Sequence, residues 1–322
     1  MNIYQEILQK SEHIFALAPM EGVTDTVFRQ VLCDIGKPDL FFTEFLNVEG
    51  FCSKGRERVV HRLDFRDIEK PVVVQLWGNV PEYYAQTIEY VKESNPDGID
   101  INMGCSVRDV LSSGRGSALI NDRVLAKEII DAVKESVGKL PVSVKTRIGF
   151  DRIDTEEWIG FLLEQNLDMI TVHGRLSKEA YSTPSRWDEI ARSVRLRDSI
   201  SPDTLILGNG DVKDINQASE YVKKYGVDGV MIGRAILNNP WLFSGRKPED
   251  ISKEERFEVL KKHLEIFEKE RGDMDIFNSQ KKYIKAYISN FDTAADMRIQ
   301  LMTADSTSQV MQLLASFNKM TS

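Results

Sequence analysis

Four side chains able to do chemistry stand at comparable places in this sequence, each at or just past the end of a short apolar run: Gln75, Cys105, Lys145 and His173. Cys105 lies in "INMGCSVRDVLSSGRG" (101–116), behind Gly104 on a glycine-bearing loop and ahead of Arg108 and Arg115. A free thiol is mostly protonated at neutral pH, so it can serve as an acid as well as a nucleophile. Lys145 interrupts "VSVKTRIG" (142–149), where burial of a lone ammonium is costly and calls for a partner or an anionic ligand. Two later runs end in Asn209-Gly210-Asp211 and in Gly233-Arg234. Glycines there let backbone N–H groups approach a phosphate. A phosphate cradle, an amide, a cation and an imidazole together suit flavin mononucleotide, with Gln75 at the ring edge and Lys145 balancing charge on the reduced ring.

The elements that must position these groups read as alternating strands and helices. Apolar runs occur at 15–20, 40–45, 72–77, 98–104, 142–149, 169–175, 204–210 and 229–235. Between them the apolar period becomes helical, with caps at Thr24, at Asn121 or Asp122, and at Asp154 or Thr155, and stops at Gly36, Gly138 and Gly226. Strands alternating with helices imply a parallel sheet, and about 250 residues is typical of a (β/α)8 TIM barrel. A doubly wound sheet is the alternative, but none of the strand ends carries the GxGxxG it would normally show. Beyond residue 240 the strand pattern stops, and 252–272, 278–291 and 306–319 read as helices. The expected organisation is therefore an α/β TIM barrel over 1–240 followed by a small all-α domain over 241–322.

Composition narrows the classes. Net charge is −8, which counts against general affinity for nucleic acid but leaves room for local basic faces such as 53–66 and 280–287. Three cysteines without CxxC spacing suggest reduced thiols and no zinc site. No signal peptide and no membrane span is evident, so a cytoplasmic protein is expected.

At these residues the sequence resembles the tRNA-dihydrouridine synthases. The blocks "APMEGVTD" (18–25), "TEF" (43–45), "VQLWG" (74–78), "INMGC" (101–105), "VSVKTRIG" (142–149), "TVHGR" (171–175), "GNGDV" (208–212) and "VMIGRA" (230–235) carry the resemblance in order along the chain. It implies NADPH- or NADH-driven, FMN-dependent reduction of the C5=C6 bond of specific D-loop uridines in tRNA. By position, Cys105 would be the acid that protonates C5. Pro19, Met20 and Glu21 would line the flavin, and Gln75, Lys145 and His173 would contact its ring. Asn209, Gly210, Asp211, Gly233 and Arg234 would hold its ribityl phosphate end. Substrate contacts would come from Asn102, Arg147 and Arg175, and the helical domain would bind tRNA; a monomer is expected. The first two blocks lean to position 16 of the D-loop. Two departures stand out: Ser106 follows the cysteine where the family usually has proline, and Thr183 stands where it often has glycine.

Three other readings remain open at this point. A small-molecule flavoenzyme would share the barrel, the FMN and the cysteine. A lyase would use Lys145 as a Schiff-base nucleophile. A tRNA-binding protein without catalysis would keep the site but not the turnover.

Overall fold

A computed structural model describes residues 2–272 and 277–319, so the parts of the 241–322 expectation at 273–276 and 320–322 lie outside the described residues. Nine strands form one parallel sheet: β1 (Ile14–Leu17), β2 (Phe41–Phe42), β3 (Leu46–Asn47), β4 (Val72–Trp77), β5 (Gly98–Met103), β6 (Val142–Arg147), β7 (Met169–His173), β8 (Leu205–Asn209) and β9 (Gly229–Ile232). Their order is β1-β9-β8-β7-β6-β5-β4-β2, with β3 also on β4. A bridge from Ala16 to Leu40 brings the two ends together. The sheet is thus a nearly closed parallel barrel surrounded by helices, and the TIM-barrel expectation holds. Strands covered on both faces read as unbroken apolar runs, which is why β4 and β5 could be read from the sequence almost residue for residue.

The second barrel position departs from the continuous run expected at 40–45, since it divides into β2 and β3. Thr43 explains the break. Its N–H donates to Val73 O at 3.0 Å, while its hydroxyl oxygen accepts the Gln75 N–H at 3.1 Å, so a side chain replaces a ladder carbonyl.

A helix over Ile3–Lys10 precedes β1 and is fixed by a capping box between Asn2 and Gln5. Its Tyr4 and Ile7 are buried with Ile14, Phe42, Val73 and Met169, against the N-terminal ends of the strands. Asn2 Nδ2 adds a bond to Asp168 Oδ1 at 2.7 Å. Around the barrel, Asp122 caps the helix Arg123–Val137, and Asp214 caps Ile215–Tyr225, which stops at Gly226 in the left-handed region.

The chain divides into two compact units, residues 1–25 with 38–233 and residues 26–37 with 234–322. The division differs from a simple cut at 240 because the helix Thr26–Ile35 packs with the C-terminal helices. Phe28 is fully buried there, its ring 5.0 Å from that of Tyr283 and 6.3 Å from that of His263. The C-terminal unit contains helices over Lys253–Arg271, Lys281–Tyr287, Ala294–Met302 and Thr307–Lys319. His263 sits at its centre, fully buried, bonded through Nδ1 to Tyr287 OH and through Nε2 to Gln280 Oε1.

Candidate active site at the C-terminal rim of the barrel

Strand register brings the chemical groups together. Gln75 lies beside Asp100 across β4 and β5, Asp100 beside Ser143 and Asn102 beside Lys145 across β5 and β6, and His173 beside Asn209 across β7 and β8. Alternate residues of a strand share a face, so Asp100 and Asn102 point to the same side of the sheet.

The cysteine loop is held at each residue. Asn102 Oδ1 accepts the Gly104 and Cys105 N–H groups at 3.0 and 2.9 Å. The Cys105 carbonyl accepts from the Ser117 N–H at 2.9 Å and from its hydroxyl at 2.8 Å. Arg147 donates from Nε to Gly104 O at 2.7 Å, from Nη1 to Leu176 O at 2.9 Å and from Nη2 to Ser106 Oγ at 3.0 Å. The serine that stands in place of proline is therefore tied by a charged donor rather than left loose. A Cβ at 104 would lie 3.2 Å from the Lys145 carbonyl, a tight approach that a glycine avoids. Burial pushes the Cys105 thiol above its ordinary pKa, although the Val107 N–H and the charges of Arg147 and Lys145 pull it down. The thiol is the resting form.

Lys145 donates to Asn209 Oδ1 at 3.2 Å, and Asn209 Nδ2 is fixed in turn by Met231 O at 2.8 Å. Desolvation, then the neighbouring Arg147, lower its pKa to about 8, against the pull of Asp100 and Cys105. Such an ammonium favours a nearby anion. His173 is almost fully buried, and its Nε2 lies 3.0 Å from Arg175 Nη1. Arginine has no acceptor, so Nε2 accepts and the proton of the neutral ring sits on Nδ1.

Arg175 is fully buried and gives its donors to the protein: to Asp211, to Tyr181 O and to Thr183 O. Arg175 and Asp211 thus hold the 181–185 loop, and Asp211 Oδ2 also accepts the Ser185 N–H at 2.9 Å. Gly210 has φ +130°, and a Cβ there would lie 2.1 Å from Ser185 Oγ. At Gly233 a Cβ would reach only ordinary contact with Ala18 and with Met20 Sδ, so the end of β9 stays close to the Pro19-Met20-Glu21 turn. Glu21 is exposed and pairs with Arg62. Arg234 begins the second unit and leads the short helix Ala235–Asn238. Over the cysteine loop lies an open groove of about 710 Å³, lined by Ser106, Arg108, Phe150, Ser177 and Lys178.

Asp100 and Ser143 escaped the sequence reading. Asp100 is fully buried and accepts from Gln75 Nε2 and from Ser143 Oγ, both at 2.6 Å. Its signal was a lone acid two residues before Asn102 in the strand "GIDINM", whose other side chains are apolar. Gln75 is equally buried, and its Oε1 accepts from Asn102 Nδ2 at 2.9 Å.

A parallel barrel with a thiol, an ammonium and an imidazole gathered at the C-terminal strand ends defines a (β/α)8-barrel enzyme. The dihydrouridine synthase family model matches residues 16–321. A probable tRNA-dihydrouridine synthase of Staphylococcus aureus is 41% identical over 306 residues, covering 94% of this chain and 92% of that protein. Probable tRNA-dihydrouridine synthase 2 of Bacillus subtilis is 39% identical over 308 residues, covering 95% and 94%. Among solved structures, morphinone reductase in complex with tetrahydroNAD aligns at TM-score 0.50 and 12% identity, over 71% of this chain and 84% of that one. An old yellow enzyme homologue from Zymomonas mobilis aligns at TM-score 0.50 and 13% identity, over 71% and 86%. These two carry the fold alone.

The chain belongs to the dihydrouridine synthase family and is an oxidoreductase. The lyase reading of Lys145 falls away.

Proposed function

We propose that this chain reduces the C5=C6 bond of specific D-loop uridines in tRNA to 5,6-dihydrouridine, with FMN as cofactor and NADPH or NADH as reductant. The observation that carries the reading is the Cys105 loop, clamped at every residue around a thiol that burial keeps protonated. The names of the relatives support tRNA as the substrate.

The donor set suits FMN. Lys145 offers a cation already poor in solvent, His173 an imidazole at the rim, and Gly210 and Gly233 leave strand ends without side chains. When bound, FMN supplies the hydride that goes from N5 to C6 of uracil. The protein's own part is the proton. Hydride arrival leaves enolate character across C5 and O4, and the Cys105 thiol gives its proton to C5. Asn102 and Arg147 hold the loop that carries the thiol. The groove lined by Arg108, Phe150 and Lys178 offers charge for phosphates and an aromatic face for a base flipped out of its stack. Helices of the C-terminal unit, with Lys281, Lys282 and Lys285, supply further tRNA contacts, and a monomer suffices for this arrangement.

A single-turnover experiment tests the reading. The visible spectrum of the purified protein is recorded, NADPH is added, and unmodified tRNA follows. Flavin reoxidation with dihydrouridine appearing in the tRNA is the expected result. Reduced flavin that ignores tRNA would point to a small-molecule substrate, and a protein that takes up no FMN would end the redox reading.

A further inference from the structure

A buried chain of hydrogen bonds runs from the N-terminal end of the barrel to the cysteine loop. Tyr4 OH donates to Ser143 Oγ at 3.2 Å, and Ser143 Oγ donates to Asp100 Oδ1 at 2.6 Å. Asp100 Oδ2 accepts from Gln75 Nε2, Gln75 Oε1 accepts from Asn102 Nδ2, and Asn102 Oδ1 accepts from the loop N–H groups. Two of its links are primary amides, and each amide can in principle be turned by half a revolution to exchange its oxygen and nitrogen. A turned Asn102 would aim its NH2 group at the Gly104 and Cys105 N–H groups, donor against donor.

Something must fix the sense of the chain, and only one member has no donor. An ionised carboxylate accepts and cannot donate. Facing Asp100, Gln75 has to present its nitrogen, which leaves its oxygen for Asn102. Asn102 then has to present its own nitrogen to Gln75, which leaves its oxygen for the loop. We infer that Asp100 is a positioning residue for the cysteine: through Gln75 it sets the orientation of Asn102, and thereby the pose of the Cys105 loop. Asp100 need not touch substrate or cofactor to do this. The inference rests on the reading of Cys105 as the proton donor only for its effect on turnover, because the pose of the loop has a readout of its own.

That readout is alkylation of Cys105 by iodoacetamide, followed by mass spectrometry of the 101–116 segment in the flavin-loaded protein. Asp100→Asn leaves the sense of the chain undetermined. Its Cys105 should alkylate several-fold faster, and its dihydrouridine formation should fall about 10- to 100-fold, as expected when buried donors lose acceptors. Ser143→Ala removes the other bond to Asp100 but leaves the carboxylate facing Gln75. It should lower thermal stability while keeping alkylation and turnover within about threefold of the parent. Gln75→Met interrupts the chain without touching the carboxylate and should reproduce the faster alkylation, which serves if Asp100→Asn fails to fold. Unchanged alkylation in Asp100→Asn, or in Gln75→Met where the first does not fold, would overturn the inference. So would a Ser143→Ala protein that matched Asp100→Asn in both measurements, because the network would then only hold the fold. A parent protein that forms no dihydrouridine would defeat the functional reading, while the alkylation series would still decide the role of Asp100.

Discussion

At the scale of single residues, Cys105 and Lys145 have been pushed in opposite directions by the same cause. Loss of solvent raises the thiol's pKa and lowers the ammonium's, so each group is biased towards its neutral form. For the thiol this preserves a transferable proton through neutral pH. Cys105→Ala should keep its flavin spectrum and its reduction by NADPH while losing most dihydrouridine formation, and product yield after a single turnover checks this. In the parent, turnover should decline as pH rises through the thiol's titration, because the thiolate has no proton to give; a rate that climbs instead would assign the cysteine another role. The ammonium is different, since its charge is useful only when an anion arrives. Lys145→Met should raise the melting temperature of flavin-free protein while weakening flavin retention, as measured by calorimetry and by the absorbance that survives gel filtration. An unchanged flavin affinity would make Lys145 structural.

At the scale of elements, what could be read in the sequence followed burial. Strand β4 was legible residue for residue because both its faces are covered, and the cap at Asp122 and the stop at Gly226 stand where capping chemistry put them. Among the helices that were not placed individually, two carried clear signals. Asn2 and Gln5 form the capping box of Ile3–Lys10, and Ala294, Met297 and Leu301 form the buried stripe of Ala294–Met302. The site was legible as a set of strand-end residues, but its internal bonding was not. The bonds of Arg147 to Ser106, of Arg175 to Thr183 and of Asp211 to Arg175 could be seen only in the folded geometry. Asp100 stayed hidden because its partners come from neighbouring strands and depend on register. The helix Thr26–Ile35 was read correctly as a helix, yet its partners lie far along the chain. Phe28→Ala should cost about 3–5 kcal/mol, the usual range for emptying a buried aromatic site. Hydrogen exchange should report the loss in Lys253–Arg271 and Lys281–Tyr287, with β5 to β7 still protected; loosening confined to the strands would contradict the assignment of this helix to the C-terminal unit.

At the scale of the whole molecule, stability and function pull on Asp100 from different sides. Burial raises its carboxyl from 3.8 to about 6, against the bonds from Ser143 and Gln75 and the charge of Lys145. The folded state therefore holds this proton more tightly than the unfolded chain does. The stability it contributes is full below about pH 4 and is lost as pH rises through 6. Relative to Asp100→Asn, which cannot titrate there, the parent should lose roughly 1 kcal/mol between about pH 5 and about pH 8 in urea unfolding. A difference that stays flat, or grows in the parent's favour with pH, would refute the shift. The barrel thus keeps an ionised carboxylate at neutral pH at some expense to its own stability.

The division of the chain into units has a consequence for biosynthesis. The helix Thr26–Ile35 leaves the ribosome about 220 residues before the helix Lys253–Arg271 begins. At about 5–20 residues per second, the apolar face around Phe28 waits roughly 10–40 s for the segments that will cover it. By the end of that interval every strand of the barrel has been translated, whereas the C-terminal unit can be completed only after Lys253–Arg271 and the helices beyond it are made. A ribosome stalled after residue 233 would therefore carry the Thr26–Ile35 helix without its partners, a natural mark by which holding chaperones could tell an unfinished molecule from a finished one.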